Sequence, residues 1–329
     1  MRRIITILIA AMLTISSFET VSANEQAPRE FIKWMEFDVP IEVLAQAMDY
    51  DVKLNSTDTP VCWIDLIAYG AARHWGKYPN NAKCAHISSA VKRITAGESM
   101  DDLTSELKLF SFHREAYGAV LSGMLGEYEI KVVNANGAKS RETRYGLRAF
   151  FPLARGYNYS HFDDFGESRS YGYKRKHLGH DFMARVGTPV IAVEDGYIEA
   201  LGWNRYGGWR IGIRSVDRKR YYYYAHLRRD HPFHKSLEEG AFVSAGDVIG
   251  YIGMTGYSTE ENVNNINVPH LHFGLQIIFD ESQKDGYNQI WVDVYDIVKL
   301  LSKNKMPVQR NEETRDFERT FETNSVVID

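Results

Sequence analysis

The sequence predicts an α+β fold in which a helical N-terminal domain is followed by an antiparallel β-rich domain of barrel or sandwich type. Three observations carry this. From about Phe31 to Leu125, apolar residues recur at the three- and four-residue steps of helices. From about Gly156 to Phe279, short apolar runs alternate with glycines at the even spacing of a barrel or sandwich. The chain of 329 residues is also long enough for two domains once a leader is set aside.

The leader comes first. Met1-Arg2-Arg3 is basic, an apolar run extends from Ile4 to about Leu13, and Val21-Ser22-Ala23 suits a cut after Ala23. Residues 1–23 therefore read as a secretory signal peptide. The apolar run is shorter than the roughly 20 residues of a membrane span, and an uncleaved anchor is the alternative. No cysteine lies near the cut, which excludes a lipidated N-terminal cysteine. The mature chain, from Asn24, is expected outside the cytoplasm. There Cys62 and Cys84, the two cysteines, could close one disulfide, the other reading being two packed thiols.

In the helical region, 24–126, Asp38-Val39-Pro40 opens a helix with proline early in its first turn. Ile41, Leu44, Ala45 and Met48 then share one face. A second apolar segment runs from Trp63 to Ala72. Ser99 caps a third helix, with Asp101 and Asp102 in its first turn and Leu103, Leu107 and Phe110 on its apolar side. His74, His86 and His113 are lone histidines with packing or surface roles. Two strands, Glu127 to Val133 and Arg141 to Phe151, turn at Asn136-Gly137 and make a linking hairpin over 127–155.

The β-rich domain, 156–302, has candidate strands Pro189–Val193, Gly196–Gly202, Trp209–Arg214, Tyr221–His226, Asp247–Ile252 and His270–Ile278. A closing helix runs from Asp293, a capping residue, to Leu301, with Val294, Ile297, Val298 and Leu301 on one face. From Lys303 the chain is charged and poor in apolar residues, so 303–329 is expected to be a disordered tail.

The formal net charge of -4 argues against a general nucleic-acid binder. The basic triplets Lys174-Arg175-Lys176 and Arg218-Lys219-Arg220 read as solvated surface, or as help in recruiting an acidic polymer. An aromatic share of 13%, with 20 tyrosines, suits a packed core and a cleft able to stack.

Histidine spacing carries the chemistry. In a strand, His270 and His272 project to one face with Leu271 turned away. By the same rule Tyr222, Tyr224 and His226 share a face, so these tyrosines are candidate substrate-rim residues, the favoured reading being plain packing of an aromatic strand. His177 and Asp181 are four apart, as on one helical face, yet Gly179 and Gly187-Thr188-Pro189 point to a loop entering a strand. Together these residues supply two imidazoles and a carboxylate for one metal, with two imidazoles left for proton work. His180 points elsewhere under either geometry. His231 and His234 fall in a loop and read as surface residues.

These motifs, His177-Leu178-Gly179-His180-Asp181, Gly187-Thr188-Pro189-Val190, Tyr224-Ala225-His226 and His270-Leu271-His272, resemble those of the lysostaphin-type (LytM-like) M23 zinc metallopeptidases. Asp164-Phe165-Gly166, Asp195-Gly196 and Gly246-Asp247-Val248-Ile249-Gly250 share the texture. The likeness covers about Phe162 to Gln276. It implies a lysostaphin-type barrel-sandwich domain in which His177, Asp181 and His272 bind one Zn²⁺. It implies that His226 and His270 are the catalytic histidines. It further implies a secreted endopeptidase acting on peptidoglycan peptides, in an extracellular, wall-associated or periplasmic location, with no membrane span once the signal is removed. The competing readings are a latent enzyme whose helical domain covers the cleft, a non-catalytic wall-binding activator, and a zinc peptidase acting on proteins.

Overall fold

The computed structural model describes residues 32–35, 37–78, 82–133, 139–170, 174–281, 283 and 289–325. The predicted signal peptide and the Asn136-Gly137 turn lie outside them. Helix α1 (Ile41–Leu54) starts directly after Pro40, which stands at the N-cap rather than inside the first turn. It buries Val43, Leu44 and Ala47 and rests Ile41, Ala45 and Met48 against the core margin. The Asp51 carboxylate of α1 accepts from the Trp63 backbone N–H at 2.7 Å, capping helix α2 (Trp63–Arg73) from outside.

Helix α3 (Ala85–Ile94) was not legible as a separate helix. The Gln46 side chain ties its start to α1, donating to the Cys84 carbonyl and accepting from the Cys84 N–H. The Ser99 cap is present as a reciprocal capping box with Asp102. It opens only the short helix α4 (Met100–Thr104), and Phe110 begins a separate helix α5 (Phe110–Leu121). Thr104 and Ser105 hydroxyls bond back to the carbonyls of Met100 and Asp102, a competition that favours helix ends over helix interiors. Of the two readings for the cysteines, free thiols hold: Cys62 and Cys84 each stand just before a different helix, and Cys62 is exposed rather than packed while Cys84 is buried.

The hairpin of β2 (Leu125–Val133) and β3 (Lys139–Leu147) follows. The main sheet has the order β1 (Ile32–Met35), β15 (Gln289–Val292), β14 (His270–Ile277), β11 (Arg220–Ala225), β10 (Gly208–Ser215), β9 (Gly196–Asn204) and β12 (Phe242–Val243). Its neighbours are antiparallel apart from the parallel β1–β15 pair. One edge of β14 is shared: His270–Phe273 pair with β7 (His180–Ala184), and Leu275–Ile277 pair with β15. A small second sheet joins β8 (Pro189–Ile191) to β13 (Val248–Tyr251). Helix α6 (Tyr295–Leu301) closes the domain, with Asp293 accepting from the Tyr295 N–H at 2.9 Å.

Two expectations change at this scale. The N-terminal region is helical, but it is no separate domain. Leu44, Leu66 and Leu121 belong to the same continuous core as Phe182, Phe273 and Leu300. The junction is polar as well. Arg220, 1% exposed, binds Glu194 through both Nε and Nη2 and reaches the Ala119 carbonyl and Ser122 hydroxyl at the C-terminal end of α5. Gly123 is obligatory there, since a Cβ would fall 1.6 Å from the Glu194 carboxylate.

The predicted disordered tail is also corrected over 303–325. It forms a hairpin of β16 (Val308–Arg310) and β17 (Phe317–Arg319), and β18 (Thr323–Ser325) adds to β2. A few well-placed residues order it despite its charge. Met306 is fully buried against Phe150, Ile191 and Tyr251. Asp316 accepts from the Tyr251 hydroxyl and pairs with His231 at 2.7 Å.

Candidate active site and metal centre

The end of β14 and the start of β7 lie side by side, with His272 opposite Asp181. Residues directly opposite share a face, so pairing alone brings the two side chains together. His177 arrives from the loop before β7, which settles the choice left open by its four-residue step to Asp181. Gly179 makes the close approach possible: a Cβ there would lie 2.5 Å from the His272 ring and 2.9 Å from the Phe273 carbonyl.

His177 Nε2 lies 3.0 Å from Asp181 Oδ1 and 2.9 Å from His272 Nδ1, and His272 Nδ1 lies 3.0 Å from Asp181 Oδ1. Three lone-pair atoms thus converge on one point. Behind them His177 Nδ1 donates to the Asp164 carbonyl at 3.0 Å, with an Asp164 carboxylate oxygen at 3.1 Å, an orientation typical of a ligating imidazole.

The electrostatics suit a cation. Burial opposes charge on His177, yet Asp164 and Asp181 outweigh it and hold its pKa up at about 9. Asp181 sits far below the usual carboxylate range, the bonds from His177 and His272 overcoming its burial. Burial lowers His272, against the pull of Asp181. A metal-free cluster therefore carries a proton where a dication fits, and a set of two imidazoles with one carboxylate is a zinc-type donor set with room for a fourth ligand.

The other two predicted site histidines stand beside this cluster. His226 Nδ1 donates to the Thr255 carbonyl at 2.9 Å and His270 Nδ1 to the Val268 carbonyl at 2.8 Å. The two rings are 4.8 Å apart, and His226 lies 5.8 Å from the His272 ring. Burial first, then His270 and His272, push His226 well below the ordinary histidine pKa, so it is neutral at pH 7. His180 turns into the interior and meets His161 at 2.7 Å.

The rim assignment of Tyr222 and Tyr224 is corrected. Both are buried, Tyr222 donating to Glu194 at 2.6 Å and Tyr224 accepting from the Val193 N–H at 3.0 Å. Tyr221 and Tyr223 line the groove instead. His226 follows the end of β11 with φ of +63°, in the left-handed region, which breaks the strand alternation. Asp164, Thr255 and Val268 were missed as positioning groups. Asp164 was visible only as part of Asp164-Phe165-Gly166, and the carbonyls of Thr255 and Val268 leave no side-chain signal.

Residues 175–286 match the family model described as Peptidase family M23. Over 125 residues the chain is 41% identical to the L-Ala--D-Glu endopeptidase of Bacillus subtilis (strain 168), covering 38% of this chain and 37% of that protein. Over 98 residues it is 40% identical to lysostaphin of Staphylococcus staphylolyticus, covering 30% of this chain and 18% of that protein. The matches thus span well under half the length of these curated relatives. A solved structure assigned as a glycyl-glycine endopeptidase lytM from Ruminococcus gnavus shares the fold, with a TM-score of 0.52 at 23% identity over 79% of this chain and 88% of that one.

Proposed function

Because residues 175–286 are a Peptidase family M23 domain, we propose that this protein is an exported zinc endopeptidase that hydrolyses peptide bonds in bacterial peptidoglycan. The observation that carries the reading is the convergence of His177, Asp181 and His272 on one point beside two further imidazoles. Zinc held by three such ligands supplies Lewis acidity that makes water a nucleophile near neutral pH and polarises a carbonyl.

The chain's own groups supply the proton chemistry. With Nδ1–H engaged by Thr255, neutral His226 offers its Nε2 lone pair and acts as the base that deprotonates water. His270, oriented the same way by Val268, presents Nε2 to the same space and, when protonated, serves the developing oxyanion or the departing amine. Asp164 holds the His177 ring in its ligating orientation.

The wall substrate is supported by the relative whose name specifies a bond from L-Ala to D-Glu, since D-residues belong to wall peptides rather than ribosomal proteins. Export is supported by residues 1–23 alone, and no helix of the described residues is long and apolar enough to cross a membrane. A latent enzyme is not favoured. No described residue before Arg169 lines the groove.

The test is incubation of the chain from Asn24 with purified peptidoglycan, with and without a zinc chelator, and identification of products by mass. Chelator-sensitive release of peptide fragments, restored by zinc, is expected. A folded, zinc-loaded protein that releases nothing from wall but cuts glycine-rich proteins would overturn the wall assignment.

A further inference from the structure

The groove beside the metal centre, about 940 Å³, carries positive charge that the described residues do not balance. Five cationic side chains line it. Arg169 is neutralised by Asp164 at 2.7 Å and Arg214 by Glu199 at 2.8 Å. Arg175, Lys176 and Arg210 have no acidic partner among the described residues. Arg175 is nonetheless fixed, donating to the Tyr257 hydroxyl and lying over the Tyr206 and Tyr257 rings at 5.6 and 5.0 Å.

Arg210 is the best placed of these. It follows one residue outside the Ile211–Tyr224 pair, in line with Ala225, which is itself paired with His272. Two strand spacings, roughly 10 Å, separate it from that metal ligand, and the small Ala225 side chain leaves the way clear. Its charge reaches the groove-lining Tyr221 and Tyr223 phenols, opposing the upward shift that burial gives each.

A second observation points to a ligand. Gln276 lines the groove further along the same face of β14, is 3% exposed, and its amide nitrogen has no hydrogen-bond partner. Arg214 Nε, beside it across Tyr221 and 2% exposed by residue, is likewise unpartnered. Buried donors are normally satisfied. These lack only an acceptor that enters the groove.

Resting on the reading of this groove as a peptidase site, we propose that Arg210, backed by Arg175, binds a free carboxylate of the substrate peptide. The substrate is thus an acidic stem peptide rather than a neutral glycine bridge. At about 3.3 Å per extended residue, the carboxylate lies within about three residues of the scissile bond. Charge-assisted hydrogen bonds of this kind discriminate by about tenfold to a hundredfold.

The test uses the zinc-loaded full chain and two synthetic wall-type peptides that differ in one group. One has a free carboxylate within three residues of the scissile bond, and the other has the primary amide there. The expected kcat/KM ratio is about 10 to 100 in favour of the carboxylate. It should fall close to one in Arg210→Gln, recover in part in Arg210→Lys, and stay intact in the surface control Arg229→Gln. Equal rates on both peptides, or a preference that survives Arg210→Gln, overturns the proposal. Calorimetric binding of both peptides to the zinc-loaded His226→Ala protein reads the preference without turnover. Arg210-dependent preference there, with neither peptide cut by the wild type, would sink the peptidase reading and leave the subsite standing.

Discussion

One backbone angle decides which face His226 joins, while the pairing of Ala225 with His272 places Tyr221 and Tyr223 on the groove side. Had β11 kept its alternation, Tyr222, Tyr224 and His226 would share a face. The positive φ of His226 rotates its imidazole onto the side of Tyr221 and Tyr223. A non-glycine residue in that conformation stores on the order of 1 kcal/mol of strain, which marks functional positions more often than neutral ones. The ligand and proton roles separate experimentally. His177→Ala and His272→Ala should lose bound zinc and turnover together, whereas His226→Ala and His270→Ala should keep zinc and lose about 10²- to 10⁴-fold in rate. Metal analysis alongside kinetics on each purified variant checks this, and activity without His177 or His272 would refute the ligand set. Gly179→Ala tests the close approach. Its methyl must displace the His272 ring, so zinc affinity should drop by about tenfold or more while the fold is kept, as read by competition with a chelator.

At the scale of elements, helix α6 carries a pH dependence away from the metal centre. Asp293, which accepts from the Tyr295 N–H, is pushed up to about 6, chiefly by burial, with Asp163, Asp296 and Asp38 adding to the shift. An acid whose folded pKa exceeds its unfolded value of about 3.9 binds its proton more tightly when folded. Its contribution to stability is therefore fully present below about pH 4 and lost as pH rises through 6. Asn keeps the capping oxygen and removes the charge. Asp293→Asn should therefore gain on the wild type by on the order of 2 kcal/mol between pH 4 and pH 8. Denaturant unfolding at both pH values reads the difference, and a gap that does not change with pH would contradict it. The helix α1 face, the Ser99 cap and the six candidate strands were legible because periodicity and capping are local. The break between α4 and α5 was not, since it depends on hydroxyl groups choosing carbonyls over solvent.

Among the described residues the helices and the main sheet share one core, with a smaller cluster around Met306 beside it. Removing residues before Phe162 strips Leu44, Leu66 and Leu121 from that core and leaves Arg220 without its Ala119 and Ser122 partners. The expected product is an insoluble or unfolded fragment, where a latent enzyme would instead yield a soluble and more active one. Glu194→Gln probes the same junction more gently. It leaves the buried Arg220 guanidinium with the half-exposed Asp217 as its one carboxylate partner among the described residues and should destabilise by about 2 to 3 kcal/mol, measured by chemical unfolding. Ending the chain at Ser302 would expose Ile191 and Tyr251 where Met306 and Phe317 now pack. A loss of at least 2 kcal/mol follows from the buried methionine alone, and a tail without structure would predict no change.

By itself the sequence determined which residue types make up the candidate site and the order of its parts. Residue types that bind zinc, set two or four apart beside glycines, carry their meaning in local spacing. Only the tertiary structure decided which tyrosines face the groove, that the helices share the β-domain's core, and that a charged tail folds back onto the small sheet. Each of these depends on contacts between residues distant in the chain, as when Asp316 meets Tyr251 or Arg220 meets Ala119. Such contacts form where summed burial outweighs local polarity, and a local pattern does not register that sum.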